Sequence, residues 1–161
     1  MTTNLRQIET PTECSLLIAF VDLTHFSKFS QDKTDRELFD FIDSLYELIG
    51  RIIEEENGEI LKFIGDGALI VFPEERLHEG VRALHELREE VNTFLRSYQF
   101  DSILRIKAHF GPVIYGPLGT RREKHFDVIG QNVNETALLK YNGKEIVFSE
   151  ELQAKLKALL S

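Results

Sequence analysis

EILKFIGDGALIVF, at residues 59–72, reads as two short strands, 59–64 and 68–72, joined at Gly65-Asp66-Gly67. Ile, Leu, Val and Phe dominate both arms, which suits a pleated, half-buried surface. An Asp-Gly pair between apolar runs is a strong signal for a two-residue hairpin, because both central residues tolerate positive φ. The hairpin tip then carries the carboxylate of Asp66 with a glycine on each side. Bare flanks let a metal-bound phosphate approach the backbone. Turn chemistry alone also accounts for an Asp at this place.

Outward from the hairpin, SLLIAFVDL at 15–23 is an apolar strand that ends at Asp22. An isolated charge in apolar surroundings is very costly, so Asp22 is expected at a sheet edge beside a partner. If this strand lies next to the hairpin, Asp22 and Asp66 converge. Two carboxylates at one point repel each other unless a cation sits between them, and hard oxygen ligands suit Mg²⁺ or Mn²⁺.

The rest of the chain supplies helices for such a sheet. Residues 1–13 are polar, contain Pro11, and read as a flexible tail ahead of a single domain over 14–161. Residues 24–33 read as a polar loop with two aromatics, Phe26 and Phe29. Thr34-Asp35-Arg36-Glu37 is a capping box, and the helix behind it runs to about Glu56. Its apolar residues Leu38, Phe41, Ile42, Leu45, Ile49 and Ile52 recur at helical spacing, and Asn57-Gly58 ends it. Pro73 and Glu74 open a second helix to about Tyr98, with Leu77, Val81, Leu84, Leu87, Val91 and Leu95 inside. His78 and His85 are too far apart on this helix for metal ligands and read as surface residues.

Residues 103–115 return to strand character, interrupted by Gly111-Pro112, which marks a bulge, bend or edge. His109 there reads as a packed sheet histidine. A loop over 116–124 carries Arg121, Arg122 and Lys124. A short strand at 126–129, a helix over 130–139, a last strand at 145–148 and a terminal helix capped by Ser149 complete the chain. The order β α β β α β β α β α, hairpins mixed with single-helix crossovers, predicts an α+β sandwich with helices on one mainly antiparallel sheet.

At 161 residues the chain is long enough to bury a real core as one domain. A net charge of −8 argues against nucleic-acid binding through a basic face. It does not argue against a nucleotide, because metal ions can bring the positive charge. Cys14 is the only cysteine, so no intrachain disulfide forms and a reducing, cytoplasmic setting is expected. No run approaches the length of a transmembrane span.

Four stretches resemble the motifs of class III nucleotidyl cyclases, the adenylate and guanylate cyclases. FVDLTHFS at 20–27 is similar to their first metal motif and LKFIGDGALIVF at 61–72 to their second. RIKAHFGPVIYGPLG at 105–119 and FDVIGQNVNETALL at 126–139 are similar to the third and fourth, in the family's order and spacing. The resemblance implies a ferredoxin-like βαββαβ core with additions. It also implies two metal ions, Mg²⁺ or Mn²⁺, held by Asp22, Asp66 and the carbonyl of Leu23. Lys62 and Asp127 stand where the family reads adenine, so ATP is expected as substrate with GTP disfavoured. Asn134 matches the catalytic asparagine that orients the ribose, and Phe26 falls among the substrate-binding residues. The site is expected at the interface of a homodimer, with a heterodimer left open, and the loop over 116–124 stands where the family extends a dimerisation arm.

Two departures bear on activity. The family places an arginine four residues after the asparagine, and this chain has Leu138. The family also closes with a hairpin bearing a triphosphate-binding lysine, whereas residues 150–160 read as helix, so that hairpin is not expected here. His25 stands where the family often has glycine. The sequence therefore supports two functions: a weak adenylate cyclase, or a catalytically impaired nucleotide-binding and regulatory dimerisation module. The related sheet of diguanylate cyclases is disfavoured, because no Gly-Gly-acid-acid-Phe signature is present.

Overall fold

The computed structural model describes residues 3–160. Its strands are β1 (Thr12–Leu23), β2 (Glu59–Ile64), β3 (Gly67–Pro73), β4 (Leu104–Gly119), β5 (Lys124–Ile129) and β6 (Ile146–Phe148). Its helices are α1 (Phe26–Gln31), α2 (Asp35–Glu55), α3 (Leu77–Ser97), α4 (Gln131–Leu138) and α5 (Glu150–Leu160). Short 3₁₀ turns stand at Leu5–Gln7 and Glu74–Arg76. The sheet has six strands in the order β2-β3-β1-β4-β5, with β6 parallel to β4 and every other pairing antiparallel. The first four strands with α2 and α3 form the expected ferredoxin-like βαββαβ unit. No helix among the described residues is long and apolar enough to cross a membrane.

Local sequence accounts for the long helices. The Thr34 hydroxyl accepts from the Glu37 amide at 3.1 Å, and the Glu37 carboxylate accepts from the Thr34 amide at 3.0 Å. Such a cap is worth about 1 kcal/mol. At the other end Asn57 takes a left-handed φ of 63°, and the Gly58 amide donates back to Ile53. Phe41, Leu45, Ile49, Ile52 and Ile53 of α2 are buried, together with Leu77, Leu84, Leu87, Val91 and Leu95 of α3. They meet Leu17, Ala19, Val21 and Leu23 of β1. The alternate residues Leu16 and Ile18 point into a second cluster with Leu5, Leu69, Val71, Val113, Tyr115 and Val128. β1 is therefore covered on both faces, which is why its sequence is a continuous apolar run rather than an alternating one.

The structure departs from the sequence-based reading in several places. Residues 3–13 do not form a loose tail: Leu5 is buried, Arg6 pairs with Glu59 at 2.9 Å, and β1 begins at Thr12. Residues 1 and 2 lie outside the described residues. The expected loop over 116–124 is mostly strand, because β4 runs on to Gly119 and turns through Thr120, whose amide donates to Glu123 at 2.9 Å. The segment 24–33 is not a plain loop either. Phe26 and Phe29, three apart, lie on one face of α1, and Phe29 stacks on Phe100 at 4.1 Å. In the hairpin, Ile64 pairs with Gly67, so Gly65 and Asp66 are the turn residues rather than Asp66 and Gly67. Gly65 alone of these takes positive φ, at 59°. Gly67 is required for another reason: a Cβ there would sit 2.5 Å from the Val21 carbonyl oxygen.

Candidate active site

Asp22 and Asp66 line one cleft of about 290 Å³ at the end of β1, together with Phe20, Val21, Ile64, Gly67, Ala68, Lys107, Ala137 and Tyr141. The β1–β3 register, which pairs Val21 with Ala68, sets the hairpin tip beside Asp22. The Leu23 amide donates to Asp66 Oδ2 at 3.1 Å, tying the hairpin carboxylate to the strand end. Tyr46 of α2 fixes the turn from outside. Its hydroxyl donates to the Gly65 carbonyl at 2.5 Å, and its ring stacks on Phe63 at 3.6 Å. Burial and then the Asp66 charge push the Tyr46 phenol above its usual pKa, so it remains a donor.

Sequence reasoning missed the cations of this cleft. Arg105 lies opposite Asp22 in the β1–β4 ladder. Its Nη2 stands 2.9 Å from Asp22 Oδ2 and its Nε 3.3 Å from Oδ1. Tyr141 donates to Asp22 Oδ1 at 3.4 Å, and its ring carries the Arg105 guanidinium at 4.4 Å and the Lys107 ammonium at 5.3 Å. The hydrogen bond to Asp22 raises the Arg105 pKa, while burial, followed by Asp22, raises that of Tyr141. Lys107 Nζ also donates to the carbonyls of Ala137 and Leu139, at 2.6 and 3.4 Å, and so caps the C-terminal end of α4. The alternation Arg105, Lys107, His109 in an otherwise apolar strand was the available signal. It marks one polar face, but not which carboxylate that face meets.

The donor set fits a hard divalent cation. Among the described residues no group of three or more His, Cys, Asp and Glu side chains gathers to hold a metal. Two carboxylates in an open cleft instead suit an Mg²⁺-type ion, which keeps waters and shares substrate phosphate oxygens. Leu23 is buried, and it meets the site through its backbone amide, which donates to Asp66.

The other predicted residues fall outside this cleft. Lys62 Nζ lies 3.0 Å from Asp127 Oδ2, and Asp127 Oδ1 accepts from the Val128 amide at 2.8 Å. Asn134 and Leu138 are exposed and four apart on α4, hence on one face of it. The ring of Phe26 packs against Phe29 and Phe41, each at 6.2 Å, in an aromatic cluster and not on the cleft wall. His109 is buried, within 2.7 Å of both Ser149 Oγ and Asn132 Oδ1, as a packed sheet histidine linking α4 and α5. His78 and His85 are exposed on α3.

A family model described as the adenylate and guanylate cyclase catalytic domain matches residues 8–159. An adenylate cyclase of Anabaena cylindrica is 26% identical over 153 residues, covering 88% of this chain and 30% of that protein. A receptor-type guanylate cyclase of Caenorhabditis briggsae is 24% identical over 138 residues, covering 81% of this chain and 11% of that protein. This chain thus spans only a small part of the curated relatives it matches. Among solved structures, the adenylyl cyclase CyaB from P. aeruginosa superposes with a TM-score of 0.85 at 18% identity, covering 93% of this chain and 84% of that one.

Proposed function

The chain belongs to the adenylate and guanylate cyclase catalytic domain family, the class III nucleotidyl cyclases, and on that premise we propose that it converts ATP to cyclic AMP and pyrophosphate at a dimer interface. The observation that carries the choice of ATP is the Lys62–Asp127 pair, 3.0 Å apart. Lysine offers donors to a ring nitrogen of adenine, and the carboxylate accepts from the exocyclic amine. Guanine presents the opposite pattern. Adenylate and guanylate cyclases both stand among the relatives, so similarity alone does not separate the two substrates.

In this reading Asp22, Asp66 and the Leu23 carbonyl hold divalent cations. When bound, these ions activate the ribose 3′-hydroxyl and neutralise the leaving pyrophosphate. Asn134 orients the ribose at the partner's cleft, since it is exposed on α4 and is not among the residues lining the cleft of its own chain. Exposed apolar residues support a partner-covered surface. Ile114 and Ile129 face each other across β4 and β5 yet are 44% and 58% exposed, and Leu138 is 76% exposed. A two-fold dimer covers such a face and yields two sites.

Leu138 favours a second reading. It sits where a cation would stabilise charge on the phosphate, and leucine offers no donor. Turnover by the homodimer is then slow, and the chain acts as a regulatory module or pairs with a subunit that brings an arginine. The deciding experiment incubates the purified chain with ATP or GTP and Mn²⁺ and measures both cyclic nucleotides. Slow cyclic AMP formation is expected. Predominant cyclic GMP overturns the base assignment, and nucleotide binding without either product establishes the regulatory reading.

A further inference from the structure

Of the two carboxylates, Asp22 is already engaged by a cation of the protein itself. Both oxygens of Asp22 are engaged by Arg105, at 2.9 and 3.3 Å, and Oδ1 also takes the Tyr141 hydroxyl at 3.4 Å. Among the described residues, Asp66 accepts a hydrogen bond from one backbone amide, that of Leu23. The four charged side chains Asp22, Asp66, Arg105 and Lys107 sum to zero, whereas the two carboxylates alone would carry −2. The guanidinium stacks on the Tyr141 ring at 4.4 Å, so it has a second resting place when its hold on Asp22 is lost.

From this arrangement we infer that Arg105 is a positioning residue that occupies the cation's place on Asp22 and sets the threshold for divalent cation binding. The inference rests on the reading of Asp22 and Asp66 as metal ligands. A divalent ion reaches Asp22 by displacing the Arg105 fork, and the displaced guanidinium stays on Tyr141. Asp66 serves as the open point of first contact, because its other carboxylate oxygen is not tied to the backbone. Without nucleotide the domain therefore holds metal weakly, although it presents two acids side by side.

The test titrates Mn²⁺ into the purified chain without nucleotide, following heat and the electron paramagnetic resonance of free Mn²⁺. Arg105→Gln removes the competing charge and should bind Mn²⁺ about tenfold more tightly than the parent, since a unit charge within a few ångströms acts strongly and is little screened at that range. Circular dichroism checks the fold, and Arg105→Met serves if the glutamine variant does not fold. Tyr141→Phe keeps the ring under the guanidinium but drops the hydroxyl, and should tighten binding by no more than about twofold. Adding Asp22→Asn to Arg105→Gln should abolish the gain. A merely structural arginine would leave metal affinity unchanged or lower it when removed. Parent binding with no tightening in Arg105→Gln overturns this inference alone. Absence of Mn²⁺ binding in every variant overturns the carboxylate-pair reading and this inference with it.

Discussion

Replacing Leu138 by arginine tests the proposal that the lack of a cation at this position limits turnover. Leu138 is 76% exposed at the last position of α4, so the substitution gives up little buried apolar surface, at most about 1 kcal/mol. A cation at a helix C-terminus returns about 0.3–1 kcal/mol. Lys107 already binds the Ala137 and Leu139 carbonyls and keeps that end closed. Folding stability should therefore change by less than about 1 kcal/mol. The rate should change far more. A donor aimed at charge developing in a transition state is typically worth about 10²–10³ in kcat, or about 2.7–4 kcal/mol. Asn134 sits one helical turn away on the same exposed face, so an arginine at 138 and the amide proposed to orient the ribose would address one partner site. The assay measures cyclic AMP from ATP and Mn²⁺ by parent and Leu138→Arg, with kcat and KM separated. An interaction made only in the transition state raises kcat and leaves KM nearly unchanged. A parent that already turns over as fast as its arginine variant refutes the reasoning, since some other residue then supplies the charge.

Two further outcomes test other parts of the site. Lys62→Glu with Asp127→Ser inverts the donor and acceptor pattern, and the ratio of kcat/KM for ATP over GTP should fall by at least about tenfold; an unchanged ratio removes the pair from base recognition. Tyr46→Phe loses the 2.5 Å bond to the Gly65 carbonyl while keeping the stack on Phe63. Urea denaturation should show a loss of about 0.5–1.5 kcal/mol, and Mn²⁺ affinity should weaken along with it.

Helix α2 was fully legible, because its capping box, apolar period and Asn57-Gly58 stop are all local signals. The hairpin was legible as a hairpin but not in register. Gly65-Asp66 and Asp66-Gly67 are both good turn pairs, and the choice falls to the approach of Gly67 to the Val21 carbonyl, 46 positions earlier in the chain (67 − 21). Helix α1 was hidden for a similar reason. Its sequence is polar, and its two aromatics are organised by Phe41 and Phe100 from other elements. Asp22 was legible as an acid needing a partner. That its own strand neighbour Arg105 fills this need followed only from the β1–β4 register, which no stretch of sequence prints.

Lys62 makes the same point for the base-reading pair. Glu59 faces Val71 of the second cluster, and Ile60 faces Ile70 of the first. Strict alternation would send Leu61 to the second layer and Lys62 back toward α2 and α3, where an ammonium would be buried at high cost. The register instead shifts between Ile60 and Lys62, which pairs Lys62 with Leu69 of the second cluster. A bulge of this kind re-aims one side chain without ending the strand. β2 and β5 are the outer strands of the pairing order, so in a flat sheet their side chains would be remote from each other. The long β4 carries β5 over the second face of the sheet, and there Asp127 meets Lys62 at 3.0 Å. The pairing thus depends on two irregularities together, one inserted residue in β2 and the curvature of the sheet, and the proposed preference for adenine depends on both.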